Sequence, residues 1–142
     1  MSATGAAKLY TPDILALAVQ LANFPLSDDF RIRTQVRSRT CGSSLELGAQ
    51  VDQDGAVGRL GMQVSACAIG QAAAALFAGD SKGRTLADML NSLQALENWL
   101  ADDVVAPQWK DIGILEAARA HPARHGAILL PWRAAIEVLS KD

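Results

Sequence analysis

The residues with the most chemical reach are the two cysteines, Cys41 in RTCGSS and Cys67 in VSACAIG. Each sits among small or polar neighbours, Gly42 and Ser43 beside the first, Ala66 and Ala68 beside the second. Three chemistries suit such a pair. Both can be small buried hydrophobes, as most free cysteines are. They can ligate a metal or an iron–sulfur cluster, which favours thiolates on turns next to small residues but calls for three or four ligands. Or a thiolate can accept a persulfide or exchange with a disulfide. A disulfide between Cys41 and Cys67 is the plain alternative, disfavoured in a reducing compartment. His121 and His125 are four apart, a spacing that shares a helical face, but Pro122 lies between them and no Glu follows His121 as in zinc hydrolases. The chain lacks a Gly-rich phosphate loop, a serine elbow and paired-carboxylate spacing; Asp102-Asp103 reads as a solvated helix exit. No general base stands in sequence beside either thiol, so no enzyme with its own turnover is expected.

The elements around the thiols bring them together. Residues 30–37 alternate Phe30, Ile32, Thr34 and Val36 with Arg31, Arg33, Gln35 and Arg37, which predicts a strand with one buried and one wet face. With Arg39 nearby the arginine row reads first as a solvated face and second as a patch for an acidic partner. Leu45, Leu47, Ala49 and Val51 alternate again, Asp54-Gly55 signals a hairpin, and residues 57–64 form a third strand. In a three-strand meander the first connection and the end of the third strand share one edge, which places Cys41 beside Cys67. Cys67 opens an alanine-rich helix over residues 68–78, stopped at Gly79, and the positive end of that helix favours negative charge on its sulfur.

Thr11-Pro12-Asp13 starts a helix that runs to residue 24. Thr85 and Asp88 form a capping box before the stripe Leu86, Met89, Leu90, Leu93, Leu96 and Leu100. Residues 102–110 connect to a short helix at 112–120, and Pro131 predicts a kink or a fresh helix in the last segment. Trp99, Trp109 and Trp132 read as packing residues. The class is α+β, a three-stranded antiparallel meander against an all-helical C-terminal half, in a single domain over residues 1–142.

At a net charge of −2 the chain carries no field that would draw it to nucleic acid or a membrane, and its longest apolar window falls short of the ~20 residues of a span. The start MSATGAAKLY is not a secretory signal, so a cytoplasmic location is expected.

The order of these elements, with Leu9-Tyr10, Cys41-Gly42, Asp54-Gly55, Cys67 before small residues, and the late segment from Pro122-Ala123-Arg124 to Leu130-Pro131-Trp132, resembles the NifU N-terminal-like scaffolds of the IscU and SufU type. The helical insert before that segment is closer to SufU. The resemblance implies iron–sulfur cluster assembly, with iron, a cluster or zinc held by three cysteines and an aspartate, and sulfur received from a cysteine desulfurase. Cys41 and Cys67 match the first two cysteines. Ser43 stands where the aspartate is expected and Ala127 where the third cysteine is expected; neither replaces the lost ligand. Two arrangements restore ligands: His125 turned inward as a third, or a homodimer sharing Cys41 and Cys67 from each chain. The alternatives are a diverged paralogue that keeps the fold as a docking or regulatory module, and a zinc-binding protein.

Overall fold

The computed structural model describes residues 9–39, 42–102 and 104–141. Helix α1 (Pro12–Gln20) begins where expected: the Thr11 hydroxyl accepts a hydrogen bond from the Ile14 N–H at 3.2 Å. It buries Ile14 and Leu17 and tightens into a 3-10 turn, Leu21–Asn23, before Pro25.

Strands β1 (Ile32–Arg37), β2 (Ser44–Val51) and β3 (Val57–Ser65) form one antiparallel sheet in the order β1-β2-β3. Thr34, Leu47 and Met62 lie opposite one another, as do Val36, Leu45 and Val64, so one face is apolar and faces the helices. Thr34 is buried there, and its hydroxyl bonds to the Glu137 carboxylate. The β2–β3 connection is longer than a two-residue turn. The Asp52 carboxylate accepts the N–H groups of Asp54 and Ala56 at 2.9 and 3.0 Å, Gly55 takes φ +81°, and the register slips between Gln50 and Val51. A left-handed Gly55 is what the Asp-Gly signal requires.

The other face carries a cover the alternation pattern did not predict. Residues 24–30 fold back over it. Phe30 is 3% exposed, and added Cβ atoms on Gly48 and Gly61 would lie 2.7 and 2.8 Å from Phe30. Only residues without a side chain admit the ring at these two facing positions. The Arg59 guanidinium stacks on Phe30 at 4.2 Å, and the Met62 N–H donates to the Phe24 carbonyl at 2.8 Å, closing the middle of the β3 edge.

Helix α2 (Ala68–Gly79) is apolar on nearly all sides, and the side chains from Ala72 to Ala75 are at most 2% exposed. Such small side chains let α1 and the last helix, α4 (His125–Ser140), pack closely on it. Gly79 is the last helical residue rather than the left-handed stop; the left-handed glycine is Gly83 in the next loop, φ +86°. Helix α3 (Leu86–Leu100) has both reciprocal bonds of the Thr85–Asp88 capping box. Residues Ile112–Ala120 wind as a 3-10 helix. Helix α4 continues through Pro131, so no new helix starts there, and it lies across β1 and β2. All three tryptophans are buried. Phe77, Trp109 and Trp132 pack with centroids 5.2 to 5.5 Å apart. No helix among the described residues is long and apolar enough to cross a membrane.

Candidate sulfur site at the sheet edge

Ser44 pairs with Ser65 across the sheet, so the β1–β2 loop lies beside the end of β3, and Cys67 follows two residues later. The Ser38 N–H donates to the Ser43 carbonyl at 2.8 Å, closing the loop, and Gly42 turns it with φ +69°. Gly42, Ser43, Ser65, Ala66, Cys67 and Arg124 line one open cavity of about 270 Å³. Cys41 lies outside the described residues; its neighbours Gly42 and Ser43 open onto the cavity that Cys67 lines.

Cys67 is the N-cap of α2, a half-exposed free thiol. No side chain caps the first turn, and the Gln71 side chain donates to the Ala66 carbonyl at 3.0 Å, which pins the residue before the thiol. The first-turn N–H groups of a helix favour negative charge beside them. Arg124 adds a guanidinium, forms no ion pair among the described residues, and no carboxylate lines the cavity. The local field is therefore positive, which suits an anion or a thiolate. Sequence reasoning assigned Arg124 no role; the only signal was a basic residue in the segment leading into α4.

The other expected ligands are placed less favourably for a metal. Ala127 is 2% exposed and packs by the first turn of α2, where an added Cβ on Gly70 would lie 3.2 Å from its methyl. The His125 Nε2 lies 3.2 and 3.0 Å from the carbonyls of Ala118 and Arg119. Carbonyls only accept, so Nε2 is the donor in these contacts, and the ring does not line the cavity. Among the described residues no three His, Cys, Asp or Glu side chains come together to hold a metal ion. The described lining supplies one thiol, two hydroxyls and a guanidinium, fewer soft donors than a tetrahedral zinc or cluster site takes.

No family model matches the sequence, and no curated protein matches it at a significant level. Solved structures do. A nitrogen-fixing NifU-like protein (N-terminal) from Brucella abortus is 25% identical, with 96% of each chain covered and a TM-score of 0.85. A protein from the thermophile Fervidobacterium islandicum, named as an iron–sulfur cluster assembly scaffold for the SUF system, is 18% identical over 92% of this chain and 96% of its own, with a TM-score of 0.78. The chain has the α+β fold of the NifU, IscU and SufU scaffolds.

Proposed function

We propose that this protein works in iron–sulfur cluster assembly as a scaffold-like carrier, without turnover of its own, that accepts sulfur on Cys67 from a cysteine desulfurase. The observation that carries this reading is the positive cavity in front of a free thiol at a helix N-terminus, lined by Arg124 and by no carboxylate. The fold likeness to a SUF scaffold supports the general role. In the step, the Cys67 thiolate attacks the outer sulfur of the desulfurase persulfide; a new S–S bond forms, the old one breaks, and the desulfurase thiolate leaves. The guanidinium and the helix N–H groups balance the charge on the terminal sulfur. Cys41 is the candidate second acceptor, and iron or a cluster would be cargo rather than a resident group.

Mass spectrometry after incubation with a desulfurase and cysteine tests the reading. The expected result is one added sulfur on Cys67, lost in Cys67→Ser and reduced in Arg124→Ala. An unlabelled Cys67 would refute it and leave the docking module, the role favoured by Ser43 and Ala127 standing where ligands are expected. A stable cluster formed within one chain after anaerobic reconstitution would overturn the sulfur-carrier form.

A further inference from the structure

The two edges of the sheet are treated differently. The β3 edge is covered: Met62 bonds to Phe24, the Val57 N–H donates to the Arg84 carbonyl at 2.9 Å, and the Gly83 N–H to the Val57 carbonyl at 2.8 Å. The β1 edge is open. Ser38 bonds inward to Ser43, so the even-numbered residues of β1 face β2 and the odd ones, Arg33, Gln35 and Arg37, aim their N–H and C=O groups outward. The Arg33 carbonyl confirms this direction by accepting the Lys141 ammonium at 2.8 Å, the one bond to those outward groups among the described residues.

The same odd residues put their side chains on the outer face, where Arg31 and Arg39 extend the row. Arg33 meets Glu46 at 3.6 Å, whereas Arg31, Arg37 and Arg39 are exposed and pair with no carboxylate among the described residues. In a chain of net charge −2 this is a local concentration of positive charge. It argues against a second copy on this edge, since antiparallel β1–β1 pairing would set arginines against arginines. Free backbone groups beside them select an extended peptide over nucleic acid, which has no use for a strand edge.

We propose that the β1 edge docks an extended acidic segment of a partner protein by strand addition. Backbone bonds form at Arg33, Gln35 and Arg37, and carboxylates on alternate residues meet the arginine row. Arg37 pairs with Ser44, and Ser44 with Ser65, so the end of the docked strand would stand about 14 Å, three strand spacings, from the strand that leads to Cys67. The inference does not depend on sulfur transfer.

The test uses the full chain and a fluorescent peptide of alternating Glu and Val, about six to eight residues, a usual strand length. Saturable binding that weakens with salt is expected, with slowed amide exchange at Arg33, Gln35 and Arg37. Methylating the peptide nitrogens that face the edge should weaken it, and Arg31→Glu with Arg37→Glu should cost roughly tenfold or more. Gln35→Pro removes one outward N–H and leaves the β1–β2 ladder intact, so it should block binding while circular dichroism is unchanged. Absence of saturable binding, insensitivity to N-methylation, or equal affinity for a single-stranded oligonucleotide would each overturn strand addition and leave a row of charges that merely keeps the edge soluble.

Discussion

Replacing Gly70 by alanine decides whether the wall of the candidate site is as tightly packed as the distances say. Gly70 is the third residue of α2, one turn past Cys67. In a free helix the change is favourable by about 0.5–1 kcal/mol. Here the new methyl would meet the Ala66 Cβ at 2.7 Å and the Ala127 Cβ at 3.2 Å. Neither neighbour can rotate away, because an alanine methyl moves only with its backbone, and Ala66 is held by Gln71. Overpacking of this kind costs about 1–3 kcal/mol, so the net effect is a loss of about 1 kcal/mol, or roughly 3 °C in Tm for a chain of this size. Gly79→Ala at the other end of α2 is the control: nothing lies within 4 Å of its added methyl, and it should be neutral or slightly stabilising. Urea denaturation followed by tryptophan fluorescence reads both. Equal or greater stability for Gly70→Ala would refute the packing argument, and with it the claim that position 127 closes against the first turn of the Cys67 helix.

Gly61→Ala should be worse, because its methyl would lie 2.1 Å from the Pro25 carbonyl oxygen; displacing residues 24–30 loses the Met62–Phe24 bond and part of the Phe30 burial, about 3 kcal/mol by chemical denaturation. Ala127→Cys places a thiol beside the first turn of α2 and should tighten zinc binding at least roughly tenfold in competition with a chromophoric chelator; unchanged affinity would show that position 127 does not reach the site. The Ser27 hydroxyl, with Arg59, holds the Asp29 carboxyl below its ordinary value of 3.8. A depressed folded-state value means that this contribution to stability is complete above about pH 4 and is lost as pH falls through the folded-state value. Asp29 is exposed, so the effect is small; an NMR titration midpoint at or above 3.8 would contradict it.

Local rules made much of the fold legible. The Thr85–Asp88 box, the Thr11 cap and the three strands each depend on residues a few positions apart and formed as read, except that β1 begins at Ile32 and Phe30, expected on its buried face, covers the opposite one. The cover over the second sheet face was not legible, because it depends on Gly48 and Gly61 facing each other across β2 and β3, a relation visible only once the register is known. The continuous α4 has the same origin: packing against the sheet and against α2 and α3 holds a helix through Pro131 that propensity alone would end. Cys67 was placed correctly because N-capping is local. Arg124 was missed because its position in the cavity comes from how the segment before α4 returns to the sheet edge, a distant contact that spacing does not encode.

The site sits at the edge of the core in this molecule. Ala127 is buried against the first turn of α2 and contributes packing there, while Ser43 is buried in a loop closed by backbone bonds. The core that supports the edge includes Leu45, Leu47, Ile69, Phe77, Ile128 and Trp132, all at most 1% exposed. Cys67 packs against this core from its edge, so the burial that holds the architecture also positions the thiol. Among the described residues the cavity presents a thiol, a helix end and a guanidinium. That set has charge complementarity for a sulfur anion, which is why sulfur transfer to Cys67 is the chemistry to test first.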